Sequence, residues 1–429
     1  MNGGRHVRLG IRCVSDHQQQ PLIIAGHTAS FDAHGRLRPW TSWNDALDLE
    51  MNFYRECPAD HGYPRFVAAT FLDGDWIPMP DRTDTIPATQ NGMGILSYLK
   101  FHELRGKRDP WLLRMARAMG DYLVKETLTP DCGRYPAFTR STGKRDPLPL
   151  QPDCGSQADR PYEIEPDKGG IAGFALALLF EAAGGRTYLE QGLRNARVLA
   201  DNQQEGDSLR SPWPFRADYR DGESRGPVSG NMTYILRLYD LLLGHGYEEF
   251  SAPRRALWSW IKRFQIPNAA ADGGLFAQFF EDHDTPTNRT AWAPLNLARY
   301  LLERREELDD EWRADAAALI EFVRATFTHA EFGITVCHEQ DEDRQAWGGI
   351  NSTYGAVLAL YAKAIGSSDL AREARQALDF TLYSIDEHGR PRDLFNSSAP
   401  GGWQEDAHTD VIHNYVDALR AYPEWGEAR

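Results

Sequence analysis

Asn231-Met232-Thr233, Asn288-Arg289-Thr290 and Asn351-Ser352-Thr353 each open an apolar run, and they lie 57 and 63 residues apart. Seven residues after each Asn stands a leucine, Leu238, Leu295 and Leu358, so the segments share a register as well as a triplet. A period of roughly 60 residues has room for two helices and their connections. Such repeats bury the apolar face of each unit against the next.

Outward from the triplets, helices of two kinds alternate. Gly170 to Ala183 and Ile350 to Ala364 are apolar nearly all round, so they must be buried on most faces. Others are amphipathic. Asp109-Pro110 supplies an N-cap and a first-turn proline ahead of Trp111, Leu112, Met115, Met119, Tyr122 and Leu123, which follow the helical period. Ser251, Asp309 and Ser368 stand at or near N-cap positions of three more, and Gly106, Gly184, Gly244 and Gly366 stand where C-terminal caps belong.

The predicted pairs, buried helix first, are 87–104 with 109–126, 167–183 with 186–203, 229–243 with 251–265, 289–305 with 310–327, and 348–365 with 368–384. A helix near 42–57 and a last one near 408–421 complete a sixth pair if the chain ends meet. Short Gly/Pro/aromatic segments such as Gly133-Arg134-Tyr135-Pro136 and Ser211-Pro212-Trp213-Pro214 follow the amphipathic helices and predict short β segments in the loops. The expectation is an all-α chain: one toroidal domain over residues 41–429, with residues 1–40 an extension packed on it.

A hydrophobic content of 41% supports a large core, and a formal charge of −15 argues against a nucleic-acid partner. The N-terminal stretch lacks a signal-peptide core, and no apolar run reaches the length of a membrane span, so a cytoplasmic protein without a membrane partner is expected. The five cysteines are scattered without a CxxC pair, which disfavours disulfides and thiolate metal sites. His408 and His413 are five apart, so two imidazoles on one helical face are not offered to a metal. No phosphate loop, nucleotide fingerprint or serine elbow occurs. Neither cofactor nor metal is expected.

Twelve helices in an inner and an outer ring resemble the (α/α)6 toroid of the six-hairpin glycosidase superfamily, from about residue 40 to the end. The resemblance implies carbohydrate chemistry in a funnel lined by long loops and the N-terminal ends of the inner helices. Toroids of this shape also serve polysaccharide lyases, sugar epimerases and terpenoid cyclases, so the fold alone does not choose a reaction.

Glycoside hydrolysis needs one protonated carboxyl group and one ionised one flanking the anomeric carbon. Ahead of the second inner helix runs Tyr162-Glu163-Ile164-Glu165-Pro166-Asp167-Lys168, and ahead of the sixth runs Gly402-Trp403-Gln404-Glu405-Asp406-Ala407-His408-Thr409-Asp410. The expected catalytic set is Glu405 or Asp406 with a partner from Glu165, Asp167 or Asp282, and with His408 beside them. Asp167 and Asp406 would equally serve as helix caps. Trp403, Trp347, Trp292, Arg289, Asn351, Tyr354, Asn231, Tyr234 and Lys168 are the expected sugar-binding residues, the tryptophans as stacking platforms. The leading expectation is a glycoside hydrolase acting on an oligosaccharide. The alternative is a lyase or epimerase, in which Tyr or His abstracts a proton beside a carbonyl while Asn and Arg neutralise the developing charge. A terpenoid cyclase or a non-catalytic sugar-binding toroid would use the same fold.

Overall fold

The structure, a computed structural model, describes residues 23–24, 26–64, 71–72, 86–141, 162–280, 285–391, 403–404 and 408–427. Twelve principal helices alternate between two layers. The inner layer holds α2 (Pro87–Leu104), α4 (Pro166–Ala183), α6 (Thr233–Gly244), α8 (Trp292–Arg304), α10 (Gly348–Ile365) and α12 (His408–Ala421). The outer layer holds α1 (Trp43–Glu56), α3 (Pro110–Glu126), α5 (Arg186–Asn202), α7 (Ser251–Trp260), α9 (Trp312–Phe327) and α11 (Ser368–Thr381). A π turn, Ile261–Gln265, and the short helix Ile266–Asn268 prolong α7.

Each inner helix touches the next, from α2 through α4, α6, α8 and α10 to α12, and α12 packs back on α2. The ring is closed. Because every hairpin steps out and back, the six inner helices run parallel and their N-terminal ends share one mouth. Among the described residues no helix is long and apolar enough to cross a membrane.

Local chemistry sets the helix ends. Asp109, Ser42 and Ser367 accept backbone N–H bonds as N-caps, and Pro87, Pro110 and Pro166 occupy first positions. The cap of α11 is thus Ser367 rather than the expected Ser368. Gly184 and Gly366 end α4 and α10 with positive φ, whereas Gly244 is the last helical residue of α6 and Gly246 takes the left-handed turn after it. Inside the ring, Gly92 and Gly170 serve close approach: a Cβ on Gly92 would stand 2.8 Å from Ile171 Cγ2, and one on Gly170 would stand 2.6 Å from Ile235 Cγ1. The α2–α4–α6 wall therefore depends on the absence of those two side chains.

The seam between the chain ends is aromatic. Trp43 of α1 is fully buried and lies 5.3 Å from the Tyr415 ring of α12 and 5.5 Å from Trp425. Its indole N–H donates to Asp379 Oδ1 of α11 at 2.8 Å. Ahead of α1, Trp40 Nε1 donates to Leu382 O, and Leu37 joins Ile334, Val336, Phe380 and Tyr383 in a satellite core. Ile334 and Val336 belong to the hairpin Thr328–Glu331/Ile334–Cys337.

Burial raises the Asp379 carboxyl to about 6, against the smaller opposing effects of the Trp43 hydrogen bond and Arg375. A raised folded-state pKa means that the unfolded chain releases this proton first as pH climbs, so the group's contribution to stability falls between about pH 4 and pH 6 by about 3 kcal/mol. In Asp379→Asn the amide oxygen still accepts from Trp43 and the titration is gone. Urea denaturation should find the variant gaining on wild type by that amount between pH 4 and pH 7; a constant difference would contradict the assignment.

Candidate functional site

The N-terminal mouth is built around the start of α4. The strand Glu163–Ile164 pairs antiparallel with Arg216–Asp218, placing Ile164 opposite Ala217, and Ser224–Arg225 adds a third strand. This register carries Arg216 over the helix start, where its Nε stands 3.1 Å from Glu165 Oε1. One turn on, Lys168 Nζ is 4.0 Å from Glu165 Oε2 and 3.6 Å from Asp167 Oδ2. All four side chains have zero solvent exposure. Two carboxylates and two cations are thereby balanced in a buried cluster. Glu163, one residue before the strand's end, pairs separately with Arg225 at 2.5 Å.

The cluster reaches across the mouth through aromatic rings. Lys168 Nζ donates to Phe279 O at 2.5 Å and sits 3.7 Å from the centroid of the Phe279 ring, a cation–π contact. Phe279 stacks on Trp292, the first residue of α8, with centroids 6.4 Å apart and planes 19° from parallel. Trp292 Nε1 donates to Glu339 Oε2 at 3.3 Å. Lys168, Glu165, Asp167 and Trp292 are therefore brought together, on a connection supplied by Arg216, Phe279 and Glu339. Neither Arg216 nor Phe279 was expected from sequence. Only the cross-strand register of Arg216 with the Glu163–Ile164 segment would have signalled the first of them.

Other expected residues have different duties. Tyr354 is fully buried and its hydroxyl donates to Glu373 of α11, so it faces the outer layer and not the axis. Asn351 holds both the N–H and C=O of Cys337 at 2.8 Å, which locks the hairpin strand onto α10. Arg289 grips Asp341 through Nε at 2.7 Å and the Asp272 carbonyl, on the outer side of α8. Trp347 is buried and donates to Asp343 at 2.9 Å. Glu405, Asp406 and Asp282 lie outside the described residues, as do the side chains of Trp403 and His408.

The triplets are not equivalent caps. Thr290 Oγ1 accepts from Trp292 N at 3.1 Å and so caps α8, but Asn351-Ser352-Thr353 lies inside α10, which begins at Gly348. Ser352 and Thr353 point inward instead. Their hydroxyls accept from Asn414 Nδ2 at 2.8 and 2.9 Å, while Asn414 Oδ1 accepts from Arg299. Beside them Ser97 Oγ meets His413 Nδ1 at 3.3 Å. These groups form a polar layer across the axis. Burial, reinforced by Arg299, Lys100 and Arg237, pushes His413 well below the usual imidazole range and leaves it neutral.

Beside that layer stands Tyr234 on α6, with Asn231 two residues ahead of the helix. Tyr234 is 4% exposed and makes no hydrogen bond among the described residues, and Asp410 on α12 lies close enough to act on its hydroxyl. Asn231 is buried, and neither amide atom is hydrogen-bonded among the described residues. Such a group is ordinarily satisfied, and its exception marks a position built for a partner.

Among the described residues, the acids close enough together to share a metal ion are Asp309, Glu311 and Asp315 at the start of α9. The Lys262 ammonium already sits among them, 3.1 Å from Asp309 and 3.0 Å from Glu311.

Removing one partner of the Glu165–Arg216 pair leaves a buried charge without its counter-ion. Arg216→Met should therefore lose about 3–5 kcal/mol in urea denaturation, and Glu165→Gln on that background should restore part of it. Equal stability of wild type and Arg216→Met would show that the cluster is not held as ions.

No family model matches the sequence, and comparison with curated proteins returns no match either. Solved structures do match in three dimensions. A D-mannose isomerase superposes with a TM-score of 0.63 at 11% identity, over 88% of this chain and 96% of that one. Cellobiose 2-epimerase from Spirochaeta thermophila DSM 6192 gives 0.64 at 14% identity, over 89% and 95%. A family 76 glycoside hydrolase from a bovine Bacteroides thetaiotaomicron strain gives 0.57 at 13% identity, over 90% and 78%. Identities this low speak for a shared fold and nothing finer. The chain has the (α/α)6 toroid fold that these structures share.

Proposed function

We propose that this protein is a carbohydrate-active enzyme whose site is the N-terminal mouth of the toroid, and that it hydrolyses a glycosidic bond of an oligosaccharide with paired carboxylates. The observation that carries the reading is the buried Glu165–Arg216–Lys168–Asp167 cluster at the start of α4. A helix start needs only one capping oxygen, whereas four desolvated charges cost several kcal/mol before their pairing offsets it. Strongly interacting ionisable groups gathered in a cleft are a mark of catalytic sites.

In this scheme Glu165, flanked by two cations, serves as the base or nucleophile. The protonated partner that assists departure of the leaving group comes from Glu405 or Asp406, just ahead of α12, with Asp282 the other choice. Trp292, stacked on Phe279 beside Lys168, offers the ring face that a sugar needs. Trp403 precedes the acid pair by two residues in sequence and is the second aromatic of the proposal.

A second reading is proton transfer on a free sugar. Its support is the trio Tyr234, Asn231 and neutral His413 beside the central polar layer. The two readings separate on one panel: oligosaccharides and aryl glycosides assayed for reducing-end release, and free aldoses in deuterated water assayed by NMR for exchange at the carbon beside the carbonyl. Hydrolysis predicts release without exchange.

Once a substrate is found, Glu405→Gln and Asp406→Asn should each lower kcat by about 100-fold or more, as for loss of a general acid or base. Thermal stability should stay within about 1 kcal/mol of wild type. Wild-type turnover in both variants would remove the site from this segment.

A further inference from the structure

The opposite end of the toroid holds a cavity of 510 Å³, lined mainly by the C-terminal halves of α2, α4, α8, α10 and α12, with Tyr234 and Arg237 from the first half of α6. Its volume falls within the range of roughly 300–1,000 Å³ typical of small-molecule sites. The polar layer of Ser97, His413 and Asn414 separates it from the N-terminal mouth. Exposed Glu103, Lys107, Glu181 and Arg420 ring its opening; within it Glu303 is exposed, Lys100 and Arg237 are half-buried, and Arg299 and Asp417 are buried.

The floor carries an excess of positive charge. Lys100, Arg237 and Arg299 face two carboxylates, Asp417 and Glu303. Lys100 Nζ is 2.7 Å from Asp417 Oδ2, Arg299 Nη1 is 3.5 Å from the same oxygen, and Arg237 Nη1 is 2.6 Å from Glu303 Oε2. Asp417 thus serves two cations at once. Arg299 is 3% exposed, and its Nε has no hydrogen-bond acceptor among the described residues. Tyr234 stays protonated because burial raises its hydroxyl far above the ordinary range, and His413 above the floor is neutral, so neither supplies negative charge. Asp410 acts on Tyr234 but does not line the cavity.

The carbonyl ends of the helices do not cancel the excess. Lys100 and Arg299 lie four and five residues before the ends of α2 and α8, and the helix dipole fades within the last turn. A desolvated cation without its full counter-charge is costly, and an oxyanion is the group that relieves it. The remaining wall is apolar, with Phe174 and Leu178 on one side and Leu96 and Leu360 on others.

We propose that the C-terminal mouth is a second binding site, for a small sugar derivative bearing one oxyanion. The carboxylate or phosphate sits among Arg299, Lys100 and the Tyr234 hydroxyl, and the ring lies on Phe174 and Leu178. The site rests on this lining alone, whichever reaction the other mouth carries.

Isothermal titration of the full-length protein with glucuronate, glucose 6-phosphate, inorganic phosphate and uncharged glucose tests it. One or both charged sugars should bind, and which of them does so identifies the anion; phosphate alone should bind more weakly and glucose should not bind. Arg299→Gln should weaken binding by about tenfold or more, as for a hydrogen-bonded charge. Should that variant not fold, Leu178→Trp, which fills the half-buried wall, should produce the same loss with an unchanged Tm. Glu405→Gln should bind as wild type does. Absence of binding by either charged sugar, equal binding of glucose, full affinity in Leu178→Trp, or loss of affinity in Glu405→Gln would each overturn the proposal.

Discussion

Closure of the inner ring is the constraint from which the rest follows. Each inner helix has an inner neighbour on either side and the outer layer behind it, so its one remaining direction is the axis. A polar side chain on such a helix has two fates: satisfaction inside the wall, or placement on the axis. Asn195, which reaches in from α5, shows the first. It donates to Thr139 Oγ1 and Gly169 O and accepts from Gln191, which ties the outer helix to the start of α4. Asn414 shows the second, holding Ser352, Thr353 and Arg299 across the axis.

The same constraint explains why charge gathers at the two ends. At the N-terminal end the acids Glu165 and Asp167 meet cations brought by α4 itself and by a strand, and the cluster closes on itself. At the C-terminal end the charges come from the helices alone, and Asp417 is shared by Lys100 and Arg299. The first arrangement is balanced within its own members. The second is not, and it borders a cavity.

The helices were legible in the sequence because caps, first-turn prolines and terminal glycines act within a few residues: α2, α10 and α12 begin and end where the pattern puts them. Six hairpins and ring closure followed from counting. The direction in which each side chain points was not legible. A helix buried all round has no polar face to betray its orientation, so Tyr354 and Asn351 looked as available to a ligand as Tyr234 and Asn231. Tyr354 turns to Glu373 and Asn351 to Cys337 because the outer layer lies on that side. The Asn-x-Thr register likewise tracked sequence spacing rather than position on the helix, since α8 starts after its triplet and α10 before. Arg216 and Phe279 escaped notice for another reason: each reaches α4 from a loop segment more than forty residues away along the chain, and local pattern carries no such pairing.

The polar layer makes the two ends interdependent. His413 lies between them, bonded to Ser97, and the cations that hold it neutral beyond the effect of burial are Arg299, Lys100 and Arg237, all lining the C-terminal cavity. Fields of this kind persist through a low-dielectric wall far better than through water. An oxyanion among those three cations would offset the field at the imidazole and ease its protonation, while removal of one cation would do the same without a ligand. The charge state of the central layer beneath the N-terminal mouth is therefore set from the opposite side of the toroid. A closed ring permits this because Arg299 and His413 are both almost wholly buried.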